Sequence, residues 1–120
     1  MNFSNFISYL FHSRTQTHIF HLQTPSYAEH IALQAYYEGI VPLIDAIVES
    51  YQGKNGIVDG YTNFNLKQYQ NKDQVIAYLD VVCKAANQVR ETIEDSYLQN
   101  QIDTITELIK STIYKLTYLQ

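Results

Sequence analysis

His18, His30, Asp45 and Glu49 follow one another at intervals of twelve, fifteen and four residues in the first half of the chain. Two imidazole nitrogens and two carboxylate oxygens form a donor set that hard-to-borderline metal ions such as iron accept. Residues 18–49 are therefore a candidate metal-binding segment, and the rest is read as its scaffold. His21, one helical turn after His18, is either a further ligand or an ordinary hydrogen-bonding imidazole. Arg14 is either a partner for Asp45 or Glu49 across an interface or a solvated cation, and Glu38 is either an extra carboxylate or simply exposed. His12 is read as a surface residue.

Such side chains act together only if helices hold them. Phe3, Phe6, Ile7 and Leu10 have the spacing of one helix face and predict a helix from residue 3 to about 23. Followed by threes and fours, that stripe reaches Arg14, Thr17, His18 and His21, so its second half carries polar groups that need partners or solvent. Thr24-Pro25 breaks the pattern. Ser26 with Glu29 then forms the S-x-x-E pattern of a helix start. The second helix is expected over about 27–52, with Leu33, Tyr36, Ile40, Leu43, Ile44, Ile47 and Tyr51 on its apolar face. A kink is expected near residues 38–42, because Pro42 lacks the N–H that would bond the carbonyl of Glu38.

Three of the four glycines fall at Gly53, Gly56 and Gly60, which predicts a loop over 53–70 with a short helix around 64–69. Asn71 and Gln74 mark a third helix start, followed by Val75, Leu79, Val82, Ala86, Val89 and Ile93 in alternating steps of four and three. Glu94, Asp95 and Ser96 suit a new N-terminus, and Leu98, Ile102, Ile105, Ile109, Ile113 and Leu116 carry the fourth helix. The expected fold class is all-α, a four-helix bundle in a single domain over residues 1–120. The middle loop can extend to roughly 59 Å, against about 33 Å for a helix of this size. It can therefore cross the bundle and leave the second and third helices parallel, the ferritin-like connectivity.

The run HIFHLQTPSYAEHIALQAYYEGIVPLIDAIVES reads H-x11-H-x14-D-x3-E. On this motif the chain resembles the Dps group of the ferritin-like superfamily, the miniature ferritins, and small phage-encoded proteins of that kind. The likeness is close over residues 18–49 and looser over the four-helix plan. It implies that His18 and His30 of one chain and Asp45 and Glu49 of a two-fold related chain ligate non-haem iron, or another divalent metal. It also implies ferroxidase activity, Fe(II) oxidation by peroxide or oxygen, and a homo-oligomer with two-fold interfaces, a dodecamer in the family's form. A shared site agrees with the absence of the Glu-x-x-His motif of an intra-bundle di-iron centre and of histidine in the third and fourth helices. Ile19 stands where the family has tryptophan, Gln23 where it has glycine, Gln34 where it has an acidic residue and Ser50 where it has arginine. These departures imply metal binding with slow iron oxidation.

A formal net charge of −4 and eight singly scattered basic residues count against strong DNA binding. Cys83 is the one cysteine; it permits no intramolecular disulfide and is expected as a buried thiol in a reducing cytoplasm. The N-terminus has no basic n-region, and no apolar run approaches about eighteen residues, so a soluble cytoplasmic chain without membrane contact is expected. The eleven tyrosines are read as radical quenchers of an oxidising iron protein or as packing groups. A second function class remains open: a non-enzymatic protein-interaction or assembly module on the same bundle.

Overall fold

The computed structural model describes residues 1–120 as four helices without strands: α1 (Phe3–Gln23), α2 (Tyr27–Asn55), α3 (Lys72–Glu91) and α4 (Ser96–Tyr118). The first three begin on side-chain caps. Asn2 Oδ1 accepts the Asn5 N–H at 2.8 Å, Ser26 Oγ that of Glu29 at 3.2 Å, and Asn71 Oδ1 that of Gln74 at 2.8 Å. Asp95 precedes α4 without a capping bond; its carboxylate instead receives Lys54 Nζ at 2.7 and 2.9 Å. α2 runs unbroken through Pro42 and ends at Gly56, whose φ of 85° lies in the region glycine enters without strain.

The packed pairs are α1 with α2, α2 with α4, α4 with α3 and α3 with α1. They close a four-sided bundle of 44 × 25 × 21 Å. One core of 23 buried apolar residues draws on all four helices and includes Cys83.

Residues 56–71 contain no helix. Their backbone is bonded to α1 in chain order: the Thr62 N–H to Ser8 Oγ at 3.0 Å, the Lys67 N–H to Gln16 Oε1 at 2.7 Å, and the Tyr69 N–H to Gln23 Oε1 at 2.8 Å. Amides committed to side chains in this way are not available for i→i−4 bonds, and the short helix expected at 64–69 does not form.

By length and composition alone, α2 is apolar enough to cross a membrane, with a mean hydropathy of 1.4 over a window that is 33% buried. Ala32, Leu33, Tyr36, Ile40, Ile44 and Ile47 face the core. Ile31, Ala35, Val41, Pro42 and Ala46 are exposed, and so are Glu38, Asp45 and Glu49. The outer side of α2 is therefore a mixed apolar and acidic surface.

Candidate functional site

The corner between α1 and α2 is tied at several points. The Glu29 N–H donates to the capping Ser26 Oγ at 3.2 Å, while the Glu29 carboxylate accepts from Thr24 Oγ1 at 2.9 Å and from Tyr69 Oη at 2.7 Å. Inside this corner His21 Nδ1 lies 2.6 Å from the His30 carbonyl oxygen, and His30 Nδ1 lies 2.8 Å from that of His21. The rings stack with centroids 3.6 Å apart and planes 18° apart.

The tautomers follow from the acceptors. A carbonyl oxygen only accepts, so each Nδ1 carries the proton and each neutral ring keeps its lone pair on Nε2. The His21 carbonyl belongs to the last turn of α1, where helical partners run out. His30 satisfies it, and the two imidazoles are braced by each other's backbone.

His18 completes a row of imidazoles. Its ring lies flat on Tyr37, with centroids 4.1 Å apart and planes at 15°, and meets His21 at 5.8 Å and 61°. Tyr37 also touches the His21 ring edge-on at 5.3 Å. His18, His21 and His30 are thus brought together, and His21, left ambiguous by the ligand spacing, sits at the middle of the row.

Asp45 and Glu49 are not part of this corner. At about 1.5 Å of rise per residue, Asp45 lies about 22 Å along α2 from His30, and both carboxylates are exposed. No group of three or more His, Cys, Asp or Glu side chains within one chain is placed to hold a metal ion. Arg14 is exposed, and the three ion pairs of the chain, Lys54–Asp95, Lys84–Asp80 and Arg90–Asp103, leave Asp45 and Glu49 free. Glu38 accepts a bond from Gln34 Nε2 at 3.1 Å.

Stacked rings hold their in-plane lone pairs in nearly parallel planes. Two such nitrogens do not converge on one ion at the usual metal–nitrogen distance of about 2.0–2.1 Å. Of the stacked pair, one imidazole can therefore serve as a ligand while the other orients it. A ligating histidine normally gives its second N–H to a carbonyl or carboxylate, and His30 has that arrangement.

His12 is not the surface residue its sequence context suggested. It is half-buried against α3, with Nδ1 2.6 Å from Tyr78 Oη and Nε2 2.9 Å from the Asn65 carbonyl oxygen. These partners lie 66 and 53 residues away in the chain, and no local spacing announces them.

Comparison with curated proteins gives no match, and neither does comparison with solved structures. Residues 21–116 match the family described as a family of unknown function, DUF5856. That match takes in most of α2 to α4 and the histidine corner from His21 onward, and the chain belongs to this family.

Proposed function

We propose that the chain is a Dps-like, ferritin-like protein that binds iron, or another divalent metal, at a two-fold subunit interface. His18 and His30 of one chain and Asp45 and Glu49 of its partner are the ligands. The observation that carries this reading is the His30 ring, held by its Nδ1–H on the His21 carbonyl with Nε2 left as a free donor.

Three further features support it. The loop's bonds to Ser8, Gln16 and Gln23 advance along α1, as a crossover that leaves α2 and α3 parallel requires. A two-fold axis crossing α2 near Ile40, midway between His30 and Glu49, brings the histidine level of one chain to the carboxylate level of the other. Around that axis α2 exposes Val41, Pro42 and Ala35, apolar groups suited to the centre of an isologous contact.

Fe(II) is then the substrate. The carboxylates favour Fe(III) over Fe(II), and the electron passes to peroxide or oxygen. Because Ile19, Gln23, Gln34 and Ser50 replace the groups that flank the family's ligands, oxidation is expected about 10 to 100-fold slower than in a tuned site. The acidic surface and scattered cations make strong DNA binding no part of the proposal.

Metal content and solution mass, measured together on protein equilibrated with Fe(II) or Zn(II), test the reading. A metal-bearing dimer or larger symmetric assembly is expected. A metal-free monomer at micromolar concentration contradicts it.

One observation favours the alternative, a non-enzymatic interaction or assembly module. An apolar groove of about 390 Å³ opens between the start of α2 and the end of α4, with Tyr27, Ile31, Ala35 and Leu119 in its wall and Lys115 at its rim. A metal-free chain that nevertheless self-associates would favour this second reading.

A further inference from the structure

Two tyrosines, Tyr36 fully buried in the core and Tyr78 partly buried against it, are bonded in chemically different ways. Ser13 Oγ lies 2.7 Å from the Leu10 carbonyl, to which it must donate, and 2.8 Å from Tyr36 Oη. Tyr36 therefore donates to a hydroxyl oxygen, which is not a base. Around His12 the assignment runs the other way. Nε2 faces the Asn65 carbonyl at 2.9 Å and must carry a proton, so in the neutral ring Nδ1 is bare and accepts from Tyr78 Oη at 2.6 Å. Tyr78 thus donates a short hydrogen bond to a nitrogen base.

The difference matters for one-electron chemistry. A phenol that loses an electron becomes a strong acid, and inside a protein the electron leaves easily only if the proton has a bonded base to move to. Tyr36 has none; Tyr78 has His12. Burial and the neighbouring Tyr36 and Tyr9 push the Tyr78 hydroxyl well above the ordinary phenol range, burial most strongly, so simple loss of the proton to solvent does not compete.

We propose that Tyr78 and His12 form a redox-active pair, with Tyr78 giving up one electron to an outer-sphere oxidant of the high-potential metal-complex class while its Oη proton moves to His12 Nδ1. The products are a neutral tyrosyl radical, an imidazolium that keeps its Nε2–H on Asn65, and the oxidant reduced by one electron. Re-reduction by a one-electron donor such as a thiolate returns the electron to the phenoxyl ring and the His12 proton to Oη. Aromatic rings connect the pair to the histidine corner: Phe20 lies 6.1 Å from Tyr78 and 6.2 Å from Tyr69, whose hydroxyl donates to Glu29. The pair requires no metal in the chain and stands whether or not the corner binds one.

The test uses the full chain and photogenerated tris(bipyridine)ruthenium(III) as oxidant. The expected result is a neutral tyrosyl radical with a single EPR hyperfine pattern, formed with a deuterium solvent isotope effect. Tyr78→Phe should abolish that pattern, whereas Tyr36→Phe should leave it intact. His12→Gln offers Tyr78 an amide oxygen that accepts the bond but cannot take the proton, and should slow radical formation by about 100-fold. An unchanged pattern in Tyr78→Phe, or undiminished formation in a folded His12→Gln, would overturn the proposal. If His12→Gln loses its helical circular dichroism, the parent decides: an isotope effect of unity overturns the pair, and a clear one supports it.

Discussion

The two helical hairpins of this bundle bury different chemistry. Of the six buried polar residues, Ser8, Ser13, Gln16, Thr17 and His21 are on α1, and only Thr112 lies elsewhere. α3 and α4 present to the core Val75, Leu79, Val82, Val89, Leu98, Ile102 and Ile105, an apolar stripe of the kind that knobs-into-holes packing uses. Each buried polar group on α1 is bonded: Ser8 and Gln16 hold the loop, Ser13 and Thr17 bond carbonyls of their own helix, and His21 holds His30. A bonded interior group costs little to bury but is costly to orphan. The α3–α4 hairpin accordingly contributes almost purely apolar burial, whereas the α1–α2 hairpin adds to its own share of the core the polar groups that place imidazoles and anchor the crossing segment.

The largest effect should come from the apolar half. Ile105→Ala removes a fully buried side chain and is expected to destabilise the fold by about 2–5 kcal/mol, with metal affinity of the remaining folded protein unchanged. Chemical denaturation and metal titration of the same sample read both. A matching loss of affinity would break the division between the hairpins.

A smaller loss is expected at Gln16, whose amide both donates to the Lys67 carbonyl at 2.8 Å and accepts from its N–H at 2.7 Å. Gln16→Leu should cost about 1–3 kcal/mol, and hydrogen exchange should accelerate over 62–69 while α3 and α4 keep their protection.

Alkali should act mainly through the interior phenols. Burial raises Tyr36 above its ordinary value of 10.0, so above that pH the unfolded chain releases a proton that the folded chain keeps. Stability is then complete below about pH 10 and falls above it, by about 1.4 kcal/mol per pH unit for Tyr36. Tyr36→Phe should flatten the decline in a pH series of melting curves, and an unchanged slope would show that Tyr36 contributes nothing to it. The smallest effect is expected at Lys54→Ala: its pair with Asp95 is solvent-exposed and screened, and no change in melting temperature should be detectable at physiological salt.

Helix boundaries were legible because their causes are local. The Ser26–Glu29 and Asn71–Gln74 patterns are caps in the structure, and the step-of-three-and-four stripe from Val75 to Val89 is the buried face of α3, while Ile93 falls past the helix end at Glu91 and is partly buried. The loop was misread at 64–69 because its amides are held by Ser8, Gln16 and Gln23, partners 46 to 54 residues distant. His12 was misread for the same reason, with its phenol partner 66 residues on. Spacing singled out His18 and His30, which the structure brings to one corner with His21, but not the reciprocal His21 brace, which exists only once the α1–α2 corner has closed. The distance between His30 and Asp45 was also implicit in the spacing: fifteen residues of one helix separate them, so Asp45 does not reach the His30 ring of its own chain.

The proposed sharing of ligands between chains is most directly tested by complementation. His30→Ala and Asp45→Ala, each expected to abolish high-affinity metal binding alone with helical circular dichroism retained, are coexpressed and their metal content is measured per chain. A mixed dimer keeps one intact site, because one chain still supplies both histidines and the other both carboxylates. Random pairing should therefore restore about a quarter of the parental capacity. Full parental binding by either single variant, or no recovery in the mixture while the parent binds metal, would contradict a site built across the two-fold interface.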